Sequence, residues 1–327
     1  MNEQDKVGLG SLNELELYRL YESLYRIRRT EEKIADVYPT DKIKSPVHLS
    51  IGQEAVSVGV CEALEPGDYV FGTYRGHALY LAKGGDLKKM IAELYGKVTG
   101  CAKGKGGSMH LVDVANGVMG TSAVVATTIP NAVGYALGIK QQNRRNIVVS
   151  FFGDGAIEEG VFSESINFAV LKNLPIIFVC ENNNYAIHSD IARRQSISEI
   201  TDQVKPYGLP VRKIVDNDIF AIKNYVHSIA TQIRQNNMGP VFVECMTYRW
   251  LEHVGPGSDF QLGYRSEDEA KKWMETDQLL RLQQYIKDED RLQIEHAVDE
   301  EIEKAFEFAE QSPFPSEDEL YTEIFKV

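Results

Sequence analysis

The sequence has few cysteines, and none of them are paired at a metal-binding spacing. The 327 residues include four, at Cys61, Cys101, Cys180 and Cys245. No two of them form a C-x-x-C motif, so neither a disulfide framework nor a cysteine zinc site is expected. This usage favours a reducing, cytoplasmic compartment.

Long apolar runs and an excess of positive charge are also missing. Apolar stretches such as Ile147–Phe152 are far shorter than a membrane span, and Met1–Gly10 is polar, so neither a bilayer segment nor an export signal is expected. The formal net charge is −13, whereas a nucleic-acid surface needs clustered cations. An anionic ligand must therefore be held by local arginines, helix ends or a metal ion.

Apolar residues make up 43% of the chain, enough for a substantial core. Ser11–Glu14 is a capping box that opens an apolar stripe reaching Ile27, which predicts a first helix. Gln53–Leu64 and Asp86–Tyr95 are also predicted as helices, and Tyr69–Gly72 as a short strand. The N-terminal third therefore contains at least three helices.

From Ile129 onward, helical and strand-like segments alternate. Ile129–Gln142 predicts a helix. The strand-like runs are Asn146–Phe152, Pro175–Cys180, Pro210–Val215 and Pro240–Met246. This alternation predicts the α/β class, a doubly wound parallel sheet with helices on both faces. We expect three parts: an N-terminal helical arm at 1–45, an α/β domain at 46–265 and a C-terminal helical extension at 266–327.

The most informative segment is Gly153-Asp-Gly155, at the end of a predicted buried strand. Asn183 follows the next strand, so Asp154 and Asn183 should stand at neighbouring strand ends on the binding edge of the sheet. A carboxylate and an amide oxygen, with positions left for phosphate oxygens, suit Mg²⁺ with a diphosphate. The alternative is that Gly-Asp-Gly is only a tight turn and the asparagines only cap a helix.

Two other phosphate motifs fail. The nicotinamide fingerprint G-x-G-x-x-G lacks its third glycine because Glu158 stands there. The P-loop pattern fails around Gly104-Lys105, because Thr99 replaces its first glycine and Gly106 follows the lysine. Neither dinucleotides nor nucleoside triphosphates are favoured.

Seven motifs resemble the alpha subunits of thiamine-diphosphate-dependent 2-oxo acid dehydrogenases of the pyruvate, branched-chain and acetoin types. They are His48-Leu-Ser-Ile-Gly-Gln-Glu-Ala55, Thr73-Tyr-Arg-Gly-His77, Gly100-Cys-Ala-Lys-Gly-Lys-Gly-Gly-Ser-Met-His110, Thr128-Ile-Pro130, Gly153-Asp-Gly155, Glu181-Asn-Asn183 and Thr247-Tyr-Arg249. The resemblance implies a thiamine diphosphate-binding fold, with Mg²⁺ and thiamine diphosphate as cofactors.

The resemblance also implies roles for individual residues. Asp154, Asn183 and the carbonyl of Tyr185 would hold the metal ion. The cofactor-binding set would be Tyr74, Arg75, His77, Ala123, Val125, Gly153, Asp154, Gly155, Ala156, Asn183, Tyr185 and His253. In that set, Tyr74 and Arg75 would grip the diphosphate, the amides of Gly155 and Ala156 would face it, and Ala123 and Val125 would lie against the aminopyrimidine ring.

Two histidines, His48 and His253, are implied to flank the reacting carbon as catalytic residues, since an imidazole near neutrality both donates and accepts hydrogen bonds. The other lone histidines, His188, His227 and His296, are expected to be structural or exposed. Lys103 and Lys105 fit either a reader of substrate charge or a structural cap on the loop. The glycines around them favour the structural role, with the loop held against a neighbouring subunit.

The family's catalytic glutamate belongs to a beta subunit, and no domain that would supply it is recognisable here. An α₂β₂ heterotetramer is therefore expected, with a small 2-oxo acid as substrate and a lipoyl acyltransferase as a further partner. Trp250-Leu-Glu-His253 keeps only the second of two histidines common in the family, which leaves the substrate open. The alternatives are a thiamine-dependent two-carbon transferase acting on a carbonyl acceptor such as a keto-sugar, and a degenerate partner chain without activity.

Overall fold

A six-stranded parallel sheet forms the centre of the computed structural model, which describes residues 13–322. The strands of the sheet are β1 (Tyr69–Thr73), β2 (Val118–Ser122), β3 (Val148–Gly153), β4 (Ile176–Asn182), β7 (Val211–Ile214) and β8 (Val241–Met246). Two short strands, β5 (Tyr185–Ala186) and β6 (Ser189–Asp190), form an antiparallel hairpin. The order across the sheet is β2-β1-β3-β4-β8-β7.

Helices cover both faces of this sheet, which confirms the predicted α/β class. They are α1 (Glu14–Val37), α2 (Glu54–Glu62), α3 (His77–Ala82), α4 (Leu87–Leu94), α5 (Thr128–Gln141), α6 (Gly160–Lys172), α7 (Ile191–Arg194), α8 (Ile200–Val204), α9 (Ile219–Asn236), α10 (Glu267–Met274), α11 (Gln278–Gln283) and α12 (Asp288–Gln311). Within residues 13–322, no helix combines the length and the apolarity needed to cross a bilayer.

Helix α1 begins at Glu14, where Asn13 is the N-cap and its side-chain oxygen accepts a hydrogen bond from the backbone N–H of Glu16 at 2.9 Å. Ser11, the first residue of the predicted capping box, lies outside the described residues. The predicted apolar stripe faces the core, since Leu20 and Ile27 are at most 1% exposed. This stripe is therefore the face by which α1 packs against the core.

The two faces of the sheet have separate apolar cores, because side chains alternate along each buried strand. On one face, Phe151 and Val179 pack with residues of α1, α2 and α9. On the other, Phe152 and Phe178 pack with residues of α5 and α6. Burial on both faces is the reason these strands are nearly continuous apolar runs in the sequence.

The strand order reverses at β1: the next strand, β2, lies on one side of β1, and β3 lies on the other. The loops after the carboxyl ends of β1 and β3 diverge there and leave a crevice, the usual ligand position in such sheets. Tyr74 and Arg75 follow β1, Asp154 follows β3, and Asn183 follows β4. The topology thus brings the predicted site residues to one edge.

Candidate active site

A cavity of about 220 Å³ lies at this carboxyl edge of the sheet. Most of the predicted site residues line it: Tyr74, Arg75, Val125, Gly153, Asp154, Gly155, Ala156, Asn183, Tyr185 and His253. Gln53, Glu159 and Glu181 also line the cavity and had no predicted role. Residues distant in sequence therefore converge on a single site.

Two predicted cofactor residues, His77 and Ala123, do not line the cavity. His77 has no exposed surface, and its ring nitrogens lie 3.1 Å from Glu31 Oε1 and 2.8 Å from Ser108 Oγ. Both oxygens of the Glu31 carboxylate also lie 2.8 Å from the backbone N of Ser50, so the two oxygens share its N–H as acceptors. His77 thus belongs to a buried network behind the site. Ala123 is half-buried beside the cavity-lining Val124.

Asp154 begins a single 3₁₀ turn directly after β3 and is only 1% exposed. Burial raises the pKa of this carboxyl to about 6, although nearby Arg194 opposes the rise. A Cβ added to Gly155 would stand 2.8 Å from the Cβ of Ala186, so hairpin β5–β6 approaches this turn closely enough to favour glycine. The turn thus fixes a buried hard oxygen donor in the cavity wall.

The partner of Asp154 in this structure is Arg194, the last residue of α7. Its guanidinium forms ion pairs with both Asp154 and Glu158 and donates to the carbonyl of Ser189 at 2.9 Å. An arginine therefore neutralises the carboxylate that was predicted to bind a metal. The sequence gives no indication of this contact, because the segment from β5 to α7 must fold back over the edge of the sheet to make it.

Asn183 is oriented by two hydrogen bonds. Its Nδ2 donates to Gln53 Oε1 at 2.9 Å, and its Oδ1 accepts from the backbone N–H of Tyr185 at 3.1 Å. A carbonyl oxygen has two lone pairs, so Oδ1 retains one for a further ligand. Asn183 is 9% exposed and lines the same cavity as Asp154.

Arg75 brings a buried positive charge to the site. It donates to the carbonyls of Leu49 at 2.6 Å and His253 at 3.2 Å. Burial lowers the pKa of its guanidinium, and no ion pair joins Arg75 to a carboxylate among residues 13–322. In the same wall, burial raises the pKa of Glu181 to about 7, and Arg75 opposes that rise. The cavity thus contains a cation without a bonded anion.

The predicted catalytic histidines lie next to each other. The ring of His48 is centred 4.5 Å from Tyr74 and 5.1 Å from His253. Burial, and secondarily the charge of Arg75, lowers the pKa of both imidazoles to about 3, so both are neutral near pH 7. Nδ1 of His48 is buried and has no hydrogen-bond partner within the described part of the chain.

The glycine-rich segment Gly100–His110 lies outside the cavity and wraps around the buried carboxylate of Glu93. Four backbone amides donate to that carboxylate at 2.7 to 3.1 Å: those of Ala102, Gly104, Gly106 and Gly107. Lys103 and Lys105 form ion pairs with Glu319 at 3.0 and 3.3 Å. Both contacts fit the structural role that the sequence favours for the two lysines.

The donor set of the cavity is suited to one hard cation together with an anion. Asp154 and Asn183 offer oxygen ligands, and Arg75 offers positive charge. Within residues 13–322, no three His, Cys, Asp or Glu side chains cluster as a metal site, so a cation here would complete its coordination with backbone and ligand oxygens. Magnesium bound to a diphosphate meets this requirement.

Comparison with known proteins identifies the family of this chain. The family model of the dehydrogenase E1 component matches residues 22–317. The alpha subunit of an acetoin:2,6-dichlorophenolindophenol oxidoreductase from Bacillus subtilis is 38% identical over 320 residues, 96% of this chain and 95% of the relative. The pyruvate dehydrogenase E1 component subunit alpha of Rickettsia prowazekii is 37% identical, over 95% of this chain and 96% of the relative.

The chain belongs to the dehydrogenase E1 component family. The Porphyra purpurea relative, another pyruvate dehydrogenase E1 alpha subunit, is 37% identical and covers 96% of this chain. Members of the family are thiamine-diphosphate-dependent components of 2-oxo acid dehydrogenases, and this chain is an alpha-subunit-type member. The family resemblance of the sequence is thereby confirmed, while the roles of single residues stay predictions.

Proposed function

We propose that this chain is the subunit of a heteromeric 2-oxo acid dehydrogenase that holds the Mg²⁺-diphosphate end of thiamine diphosphate. The observation that carries the proposal is that the buried Asp154 and Asn183 follow neighbouring strands and line one cavity, which also contains the cation of Arg75. The reaction is the decarboxylation of a pyruvate-like 2-oxo acid, or the cleavage of acetoin, with transfer of the acyl group to a lipoyl arm.

In this proposal the metal ligands are Asp154, Asn183 and the carbonyl of Tyr185. Tyr74, Arg75 and the amides of Gly155 and Ala156 bind the diphosphate, where Arg75 is suited to an anion because it has no carboxylate partner within residues 13–322. Arg194 releases Asp154 in this proposal when the metal binds, because a guanidinium held against the same carboxylate would repel the incoming cation. Ala123 and Val125 are assigned to the aminopyrimidine ring.

The bound cofactor supplies the carbanion that adds to the ketone and the ring that accepts electrons as carbon dioxide leaves. This chain positions the cofactor and the substrate and exchanges hydrogen bonds with them. His48 and His253, neutral at pH 7 because they are buried, are assigned to the substrate carboxylate and oxygen. His77 is assigned as a third polar residue beside Tyr74 and Arg75, although its ring nitrogens contact Glu31 and Ser108 and it does not line the cavity.

A partner chain is part of the proposal. Four apolar side chains around the mouth of the cavity are 41 to 62% exposed, and a covering surface would remove them from water: Val124, Val125, Ile187 and Val254. We assign that surface to a beta subunit, which also supplies the catalytic glutamate in an α₂β₂ assembly. A lipoyl acyltransferase is the proposed acceptor, and the cytoplasm is the proposed compartment.

The test is to produce the chain with its beta subunit and to measure thiamine diphosphate binding by calorimetry with and without Mg²⁺. A panel of 2-oxo acids and acetoin, with and without a lipoyl acceptor, then identifies the substrate. Asp154→Asn should abolish Mg²⁺-dependent binding, whereas the exposed Asp202→Asn should bind as the wild type does. Carbon dioxide release from pyruvate by the chain alone would contradict the two-subunit site. The named relatives support this reading and not the two-carbon transferase.

A further inference from the structure

A buried carboxylate lies beneath the turn that follows β4. Glu244, on the neighbouring strand β8, has no exposed surface. Its Oε1 accepts a hydrogen bond from Asn182 Nδ2 at 2.8 Å, and its Oε2 has no hydrogen-bond partner in the described chain. The nearest cation, Lys213 Nζ, stands 3.6 Å away and is closer to Glu199, at 2.7 Å. A carboxylate that is fully buried and has one oxygen without a hydrogen-bond partner lowers stability, so a functional role is needed to explain its presence.

Asn182 connects Glu244 to the turn. It is the last residue of β4 and is 2% exposed. Its Oδ1 accepts from the backbone N–H of Asn184 at 2.9 Å, while its own carbonyl accepts from Thr247 N–H at 2.9 Å. Asn184 has a left-handed backbone with φ of 68°, so the chain turns sharply there. The Asn182 side chain thus closes the turn that presents Asn183 and Tyr185 to the cavity.

The orientation of the Asn182 amide depends on Glu244. An amide side chain can rotate by half a turn, which exchanges its oxygen and nitrogen. If Asn182 rotated in this way, its NH₂ group would face the N–H of Asn184, and two donors would oppose each other. Glu244 opposes this rotation, because Oε1, as a carboxylate or carbonyl oxygen, accepts a hydrogen bond and therefore attracts Nδ2 and not Oδ1.

We infer that Glu244 is a positioning residue for the metal ion: through the Asn182 amide it fixes the turn that carries Asn183 and the Tyr185 carbonyl. The inference rests on the proposed function, since it assigns the turn to Mg²⁺. Outer groups that orient metal ligands typically change metal affinity by about 10- to 100-fold when they are removed. Glu244 touches neither the cavity nor a reacting atom, so its effect is confined to binding geometry.

The experiment uses the chain assembled with its beta subunit and saturated with thiamine diphosphate. Mg²⁺ is titrated while tryptophan fluorescence or calorimetric heat reports binding, and unfolding temperature is measured without ligands. Glu244→Leu removes the acceptor and should raise the half-saturating Mg²⁺ concentration by about tenfold or more. Glu244→Gln keeps an acceptor oxygen and should stay within about threefold of the wild type, because the Asn182 contact survives.

Ser150→Ala is the matched control, since Ser150 is buried in β3 and its hydroxyl has no partner in the described chain. It should leave the Mg²⁺ titration unchanged. A Glu244→Leu protein that unfolds earlier without ligand but binds Mg²⁺ like the wild type would overturn the inference, because that is the result of a purely structural role. If Glu244→Leu does not fold, Asn182→Ala is titrated with Mg²⁺ in its place. A comparable rise in the half-saturating Mg²⁺ concentration supports the inference, and an unchanged value overturns it.

The same titrations distinguish an error in the proposed function from an error in the role of Glu244. A wild-type assembly that takes up no thiamine diphosphate with Mg²⁺ overturns the proposed function. A wild type that binds, beside a Glu244→Leu variant that binds equally well, overturns only the role of Glu244.

Discussion

His48 and His253 are kept neutral by their surroundings and not by a hydrogen-bonded carboxylate. Burial is the main cause of their lowered pKa values, and the guanidinium of Arg75 adds to it. A protonated ring here would be a buried positive charge close to that of Arg75. The pair is therefore held in the form that both donates and accepts hydrogen bonds.

This arrangement has a cost at acid pH. Both imidazoles titrate near 6.5 in the unfolded chain and near 3 in the folded chain, so between these values the unfolded state binds more protons. The free energy of unfolding should accordingly decrease as pH falls from 6.5 toward 3. A variant with His48→Asn and His253→Asn should lose less stability between pH 7 and pH 5 than the wild type, as measured by the urea midpoint.

The exposed His296→Asn is the control and should follow the wild type. Asp154, whose pKa is raised to about 6, acts in the opposite direction, but it is present in every variant and cancels in the comparison. An identical decline in the double variant and the wild type would contradict the assignment.

At the scale of elements, the segment Gly100–His110 takes its shape from helix α4. Glu93 of α4 is fully buried and is surrounded by four backbone amides of the segment. The glycines allow the backbone to curve around a carboxylate, as such loops elsewhere curve around a phosphate. This segment also delivers Ser108 to His77, and so connects α4 to the network behind the site.

Replacing Glu93 should therefore disorganise the whole segment. Glu93→Ala leaves four part-buried amides without their acceptor and removes a buried carboxylate, so we expect a loss of about 3 kcal/mol in the free energy of unfolding. Chemical denaturation measures it. Glu307→Ala, at an exposed position of α12, should change stability by less than about 0.5 kcal/mol. Equal stabilities of the two variants would refute the role of Glu93.

The elements differ in how well the sequence predicts them. Strands β1, β3, β4, β7 and β8 are predicted to within two residues at either end. Strands β3, β4 and β8 are apolar runs because they are buried on both faces, whereas β7 is a partly exposed edge strand. Strand β2 is not predicted, since Val118–Ser122 contains Gly120 at φ of 151° and little apolar pattern. Hairpin β5–β6 is missed because each of its strands has only two residues.

For the site, the sequence predicts residues that follow strand ends or belong to a recognisable motif. Asp154, Asn183 and Arg75 are of this kind, and all three line one cavity. The contact of Arg194 with Asp154 and the contact of Glu244 with Asn182 leave no local pattern. They depend on how distant segments fold over the sheet, which periodicity does not encode.

At the scale of the molecule, Arg28 of α1 joins three segments that are distant in sequence. Its buried guanidinium forms an ion pair with Glu54 of α2. It also donates two hydrogen bonds, at 3.1 and 3.2 Å, to Asp277, the N-cap of α11. It also stacks over the ring of Trp250, 4.2 Å from the centroid. Three parts of the chain that the sequence divides into arm, domain and extension therefore meet at one side chain. The division itself stays a prediction.

Arg28→Leu should destabilise the molecule by about 3–5 kcal/mol, because it leaves two carboxylates buried without their cation. Arg19→Leu is the matched control on the same helix: Arg19 is 62% exposed and pairs with Glu62, so its loss should cost at most about 1 kcal/mol. Thermal unfolding of both variants measures the difference. Equal shifts would show that Arg28 does not join the parts.

The ion pair between Arg194 and Asp154 has a consequence for the order of assembly. Because the Arg194 guanidinium already balances the Asp154 carboxylate, the described chain does not need a divalent ion to neutralise that buried charge. Under the proposed function, Mg²⁺ loading would be an exchange in which Arg194 gives up Asp154 and the carbonyl of Tyr185, at the other end of the same segment, becomes a ligand. Removal of the ion by a chelator would then let Arg194 pair with Asp154 again.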